Sequence, residues 1–500
     1  MKRSLLAIAA VVSLASLCAA RPAGANSMVT HVWVAEQSIT QIEPGALRDI
    51  VSDPALRGVI QNGAIYPDSG YSVRHPYGEW AHWESWVEPY LQWIRTRWGA
   101  EGYRSADARR HVAFLMGCAA HSMTDQTFDQ YFVARARQYD HTDADSLDIG
   151  SDTWLVVEHG VTSEADGLFW VDEMPAIHAA VGGPAVTPAV LTEAGNLTAA
   201  GTRFLVRFGH TLYTARWRDY PWAASHYMDA DTPGSYPRLV STTAAYWRFL
   251  WRRLQGDAPP GAPPIYSWPS PGQVNFPVDH GDIESRVVVT TPWGLDDATV
   301  NDSTVRILGP DDAPVPSRVS RYGDHGNTLM IRPMADLAYD TPYRVSLSAS
   351  LRTLEGSLTG AEQTIAFRTR CSPDRLAQCP PLPTPRPTLS APPVSTPRPP
   401  PGLDAGSGTV VLEPDDAGAL DASVDAASTL DAALGLDAGG ASTKEGCGCR
   451  AGGGGAGGGA GWLSLLALAG LSRRRQRRAP LPWISRRTGR APGRCAGAPR

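Results

Sequence analysis

Residues 114–132 read FLMGCAAHSMTDQTFDQYF. Within them Gly117, His121, Asp125 and Asp129 recur at every fourth position. An α-helix turns about 100° per residue, so four steps return nearly to the same face. The spacing predicts one imidazole and two carboxylates in a row on one helix, with Phe114, Leu115, Cys118 and Ala119 forming an apolar face beside them. Gly117 stands one turn before His121, where a missing side chain lets a second segment come close. His and Asp are ligand types suited to zinc. The alternative, for this stretch alone, is a polar stripe on a core helix.

The flanking sequence is helical too. Ser105 is placed to cap the helix that carries the row. Trp83, Trp86, Val87, Tyr90, Leu91 and Ile94 repeat at three and four, an amphipathic pattern. Val32, Ala35 and Ile39, then Leu47, Ile50 and Val51, suit an opening helix pair. Thr187 and Pro188 fit an N-cap and first helical position. Further helices are expected at 155–157, 188–197 and 246–254, and no alternating strand interrupts them. Residues 27–257 therefore read as one mostly α-helical domain.

That domain holds more ligand types. His31 lies in THVW, Asp68 ends GAIYPD, and His82 in AHW follows it by 82 − 68 = 14 residues. His141 and Asp145 stand four apart, followed by Asp148 and Asp152. A lone His is most often a satisfied core or surface residue. Several His and Asp in one helical domain could instead furnish two or three adjacent metal sites with bridging carboxylates.

After Gly256 the pattern changes. Pro and Gly break the chain to Gly272, and short alternating runs follow at 287–289, 305–307, 329–331, 343–347 and 365–367. Turn residues separate them, as at Gly309-Pro310-Asp311-Asp312 and Gly326-Asn327. This predicts a small all-β sandwich of about seven strands over 264–370. The segments NDSTVRIL, NTLMIRP and TPYRVSLSASL resemble the strand–turn repeats of bacterial Ig-like domains. No catalytic constellation stands out there.

The ends address compartment. Lys2 and Arg3, the apolar run 5–17 and Ala23-Gly24-Ala25 read as a secretory signal over 1–25. Residues 371–445 are Pro-rich, then acidic and poor in aromatics, and are expected to be a disordered linker. Cys371 and Cys379 could pair in an oxidising compartment or remain as two thiols. Residues 446–478 carry GCGCR, a short apolar stretch and an Arg cluster, an order that resembles the C-terminal sorting signals of myxobacterial surface proteins. Such signals imply processing and anchoring at Cys447 or Cys449. Residues 479–500 are unassigned. A net charge of −5 gives no basic footprint of a nucleic-acid binder. The expectation is export, with the chain extracellular or anchored at the cell surface.

The motifs THVWVAEQSI, GAIYPD, AHW and FLMGCAAHSMTD, spanning about 28–158, together resemble the zinc-dependent phospholipase C family. The match is nearest to its glycosylphosphatidylinositol-specific phospholipase D branch. The resemblance implies a mostly helical fold, a cleft holding two or three zinc ions and hydrolysis of phospholipid phosphodiesters. It places His31, Asp68, His82, His121 and Asp125 on zinc-ligand positions. Asp68 is the expected carboxylate that bridges metals and orients the attacking water. This chain departs in two places: Asp129 stands where the lipase D branch has a His, and the next His–acid pair is either His141/Asp145 or a register using Asp148. We take Asp129, His141 and Asp145 as ligands, with Asp148 the spare acid. Trp80, Trp83, Trp86 and Tyr66 lie beside the ligands and could line an apolar entrance, or pack in the core. The expected partner is a phospholipid or membrane surface, with nucleic acid not preferred and no obligate protein partner. Two alternatives remain: an extracellular single-strand nuclease on the same scaffold, and a non-enzymatic surface module held by its metals.

Overall fold

The computed structural model describes residues 28–378, except 100–101, 142–146, 164, 259–260, 324 and 358, together with 385–392. The expected signal, most of the linker, the sorting segment and the tail lie outside the described residues, as do Asp145 and Cys379. Cys371 is disulfide-bonded.

The N-terminal half is helical throughout its described residues. The major helices are α1 (Met28–Ile39), α2 (Ala46–Val51), α3 (Arg57–Ser72), α4 (Tyr77–Ala81), α5 (Glu84–Trp98) and α6 (Ala106–Thr127). A π-helical turn (Phe128–Val133) leads into α7 (Ala134–Tyr139), α8 (Leu147–His159) and α9 (Met174–Ala180). Then follow α10 (Pro188–Phe208), α11 (Tyr213–Asp219), α12 (Pro221–His226) and α13 (Tyr236–Gln255). Ser105 caps α6 by accepting from Ala108 N, and Thr187 caps α10 by accepting from Val190 N with Pro188 behind it. Short polar side chains there satisfy backbone donors that the first helical turn leaves unpaired.

Glycine sets the central crossing. A Cβ on Gly117 of α6 would lie 2.2 Å from Ile60 O, and one on Gly63 of α3 would lie 2.4 Å from Phe114 O. Only two bare backbones can meet at that distance. A second pair, Gly70 and Gly78, brings α4 against α3 in the same way. Around these crossings one apolar core gathers Tyr66, Trp86, Tyr90 and Phe114, with Trp86 stacked on Tyr90 at 4.5 Å between ring centres. A second core gathers Phe128, Phe132 and Trp154 against Tyr236.

Residues 266–369 form a two-sheet sandwich of nine strands. One sheet has the order β1-β3-β7-β6 (β1 Tyr266–Trp268, β3 Val287–Thr290, β7 Thr328–Pro333, β6 Ser317–Arg321). The other is β2-β9-β8-β4-β5 (β2 Gln273–Phe276, β9 Gln363–Thr369, β8 Pro342–Leu347, β4 Val305–Leu308, β5 Pro314–Val315). The expected alternating runs are β3, β4, β7, β8 and β9. Their registers place Val289 opposite Leu329 and Val345 opposite Ile365, so that the branched side chains meet between the sheets. The four strands beyond those five runs are the four edges. They are short or, in β6 (SRVSR), carry a single apolar residue, as edge strands exposed to solvent tend to.

The sandwich packs on the helical domain along specific polar contacts. Arg135 donates from Nε and a terminal nitrogen to the Glu284 carboxylate at 2.9 and 2.9 Å. Gln126 Oε1 accepts from the backbone amides of Asn327 and Thr328 at 2.5 and 3.1 Å. Phe249 of α13 meets Trp293 edge-on at 4.6 Å between ring centres.

Candidate metal centre

Five side chains from four places in the sequence converge. His31 comes from α1, Asp68 from α3, His82 from the end of α4, and His121 and Asp125 from α6. The helical spacing of four puts the last two on one face, as the sequence predicts. His31, His82, His121 and Asp125 are at most 1% exposed, while Asp68 retains 19% of its side-chain surface. The site is thus reached past Asp68.

The two carboxylates lie between the imidazoles in an ordered way. Asp125 Oδ1 is 3.2 Å from His31 Nε2, while its Oδ2 is 3.1 Å from His121 Nε2 and 3.7 Å from His82 Nε2. Asp68 repeats the division, with Oδ2 4.0 Å from His31 Nε2 and Oδ1 3.2 and 4.0 Å from His82 and His121. One oxygen of each carboxylate therefore serves the His31 side and the other serves the His82/His121 side. Such an arrangement suits two cations bridged by two carboxylates.

Backbone carbonyls fix the ring tautomers. His82 Nδ1 lies 2.6 Å from Gly78 O, and His121 Nδ1 lies 2.7 Å from Ala64 O. A carbonyl only accepts, so both Nδ1 atoms carry hydrogens and donate. The Nε2 of a neutral ring then turns a lone pair toward carboxylate oxygens about 3 Å away, and His121 Nε2 makes no hydrogen bond though fully buried. A proton or a cation must lie between such atoms. Protonation fits poorly at His31. Burial, reinforced by His121, pulls His31 down to about 4, and the His31 and His121 rings stack at 3.7 Å, where two imidazoliums would repel. Ligand atoms about 2.0–2.2 Å from one tetrahedral metal sit roughly 3.3 Å from each other, close to the separations here. The donor set of three imidazoles and two carboxylates therefore fits a divalent cation of the zinc type. Carbonyl acceptors behind ligating imidazoles are the usual means of orienting them.

Electrostatics add to this. Burial works to raise Asp68, but His121, His82 and His31 overcome it and hold the carboxylate at about 2. Burial alone would lower His82, yet the bond to Asp68 and the charge of Asp125 leave it raised. Two further carboxylates crowd the centre. Burial and then Asp125 push Asp129 well above its ordinary value, and burial with Asp129, Asp125 and Asp68 does the same to Asp148.

The remaining ligand candidates divide. Asp129 lies in the π-helical turn after α6, buried, with one oxygen accepting from the Tyr322 hydroxyl of the sandwich. It lies outside both of this centre's sets whose ligand atoms fall within 4.8 Å of one another, His31/Asp68/His121 and His82/His121/Asp125; a third such set, Asp279/His280/Asp336, is exposed on the sandwich. His141 is exposed, away from the centre. Its neighbour Asp140, at the end of α7, accepts from Trp222 N and Ala223 N at 2.7 and 3.1 Å and so is tied to α12. Asp148 takes the buried place instead, and Asp152, one turn on, accepts from Val29 N and Thr30 N at 3.0 and 2.8 Å and so seats the helix that carries His31. Tyr322 lies 193 residues from Asp129, and no sequence spacing signalled it. The aromatics beside the ligands belong to the core: Tyr66 and Trp86 are fully buried, and Trp83 is 6% exposed beneath the sandwich.

A family model described as "Bacterial Ig-like domain" matches residues 262–369, so the second domain is of that kind. No curated protein matches the chain. Among solved structures, the crystal structure of CopC from Methylosinus trichosporium OB3b is 16% identical, covering 22% of this chain and 93% of its own at a TM-score of 0.18. The surface layer protein SbsC, domains 1–6, is 12% identical, covering 65% of this chain at a TM-score of 0.18. The chain spans 46% of that structure's length. Overlaps this low carry no argument.

Proposed function

We propose that this chain is an exported, surface-associated, zinc-dependent phosphodiesterase with a phospholipase C-like helical domain, acting on phospholipids. The observation that supports it most is the placement of two carboxylates, Asp68 and Asp125, between three imidazoles whose Nε2 atoms face them. Zinc, when bound, supplies an acidified water and a Lewis acid for the departing oxygen. The protein's own part is orientation. His82 and His121 are held by Gly78 O and Ala64 O, and His31 by its stacking on His121. Asp68 is the solvent-reaching carboxylate of the set and stays ionised to about pH 2, so it is placed to accept a hydrogen bond from the attacking water and aim it at phosphorus. Export is supported by the Lys2–Ala25 segment and by the Ig-like domain.

A second reading is a single-strand nuclease on the same centre. It gains from the burial of Trp83, Trp86 and Tyr66, which leaves only the half-buried Trp80 of the four aromatics expected at an apolar entrance. The test loads mature protein with zinc, counts metal, and assays phospholipid micelles, a glycosylphosphatidylinositol substrate and single-stranded DNA. We expect about two zinc ions, head-group release exceeding DNA cleavage, and loss of both metal and hydrolysis by several orders of magnitude in His121→Ala or Asp125→Ala. Rapid DNA cleavage without head-group release selects the nuclease. Bound zinc with no cleavage leaves a metal-stabilised surface module, and less than one zinc ends all three readings.

A further inference from the structure

We propose that the Ig-like sandwich is a working part of the metal centre: its β6–β7 connection supplies Tyr322, which positions the Asp129 carboxylate beside the His/Asp cluster. The inference rests on the reading of that cluster as a metal site. Four observations carry it. The Tyr322 hydroxyl donates to Asp129 Oδ2, while Asp129 Oδ1 is buried with no hydrogen-bond partner, free for another ligand. The Tyr322 ring stands edge-on to Trp83 at 5.5 Å and 86°, directly after the ligand His82. Gly323, at φ +70°, lies so close to the Trp83 indole that a Cβ would come within 2.4 Å of it. At the far end of the connection, Asn327 N and Thr328 N both donate to Gln126 Oε1, on the residue after Asp125. The connection is thus pinned at both ends to the helix and turn that bear His121, Asp125 and Asp129.

A spacer domain needs none of this. Side chains that hold a carboxylate from behind usually matter to a metal site about as much as some ligands do, with losses of roughly 10–100-fold in affinity or activity. Tyr322 acts through Asp129 and is a positioning residue.

The test uses the full mature chain and its Tyr322→Phe, Asp129→Asn and double variants. Two readouts are taken: cobalt(II) titration followed by its visible spectrum, and kcat and KM on the phosphodiester that the parent cleaves best. We expect Tyr322→Phe to keep the parent's melting temperature within a few degrees, weaken cobalt binding about tenfold and shift the spectrum. We expect kcat to fall with KM little changed. In the Asp129→Asn background the same change should have almost no effect, because the carboxylate that Tyr322 positions is gone. Equal losses in both backgrounds, or parent-like cobalt binding and kcat in Tyr322→Phe, overturn the proposal. If the parent cleaves nothing, a spectral shift that vanishes in Asp129→Asn still supports the positioning role while the enzymatic reading falls. An absent shift then sinks the positioning role as well.

Discussion

His178 shows how one buried imidazole can tie stability to pH. Its Nδ1 donates to Pro184 O at 2.8 Å, and its Nε2 therefore accepts from the Tyr66 hydroxyl at 2.6 Å. The neutral ring makes both bonds as they stand, whereas a protonated ring donates from both nitrogens and needs the Tyr66 hydroxyl to turn round and accept. Burial, partly opposed by Pro184 O, lowers His178 to about 4 from an ordinary 6.5. The unfolded chain then takes up a proton first, so stability is full above pH 6.5 and is lost as pH falls from 6.5 to 4. Over that interval the loss is roughly 3 kcal/mol. We expect urea melts of the parent at pH 7 and pH 4.5 to differ by about 2 kcal/mol more than those of His178→Gln. Equal pH sensitivity of the two proteins would refute this. The same residue scale shows what the sequence could and could not tell. His31, Asp68, His82, His121 and Asp125 were readable because each sits in a local motif and two of them share a helical face. That His141 is exposed while Asp148 is buried could not be read from spacing, since both registers fit the sequence and burial is set by contacts far along the chain.

At the scale of elements, the crossing of α3 and α6 controls where the His/Asp cluster forms. Asp68 and His121 lie on these two helices, and Ala64 of α3 provides the carbonyl that orients His121. The three nearest neighbours of a Cβ at Gly117 are all backbone atoms, Ile60 O, Ala64 N and Gly63 Cα at 2.2, 2.8 and 2.8 Å, so the helices must separate to admit one. Gly117→Ala should cost roughly 3 kcal/mol, by urea denaturation, and weaken zinc binding as well. Gly58→Ala, in the same helix as Ala64 but with open space around its Cβ, should instead gain about 0.5–1 kcal/mol from helix propensity alone. Equal effects at the two positions would mean that the crossing is not rigid. The approach at Gly117 was legible because a glycine inside a helix needs a reason. Its partner was not, since Gly63 is equally compatible with a solvent-facing helix. Strands followed a similar division: β3 is an apolar run buried along its whole length and β9 alternates buried with exposed positions, whereas β1, β2, β5 and β6 are edges that are short or carry few apolar residues.

For the whole molecule, the boundary near Gly256 that composition draws so clearly does not mark two independent bodies. Arg135 is 2% exposed, bound to the Glu284 carboxylate and stacked under the Trp268 ring at 5.2 Å. Tyr139 also donates to Glu284 at 2.9 Å, so a single sandwich carboxylate gathers two side chains of α7. Arg253 of α13 is likewise buried, between Glu88 of α5 and Glu355 of the sandwich, and lies over the Trp293 ring at 4.8 Å. Burying charge this way is tolerable only while each partner stays in place. Opening the interface would take Glu284 from Arg135 and Glu355 from Arg253, which couples the two domains. We therefore expect one calorimetric transition for the described region, not a separate melting of the sandwich. Arg135→Ala should leave Glu284 partly unpaired and cost about 3 kcal/mol. That loss should lower the helical ellipticity and the β-sheet infrared signal at the same temperature. Two resolved transitions, with Arg135→Ala moving just one of them, would show that the sandwich folds apart and that its grip on the metal centre is too weak to matter.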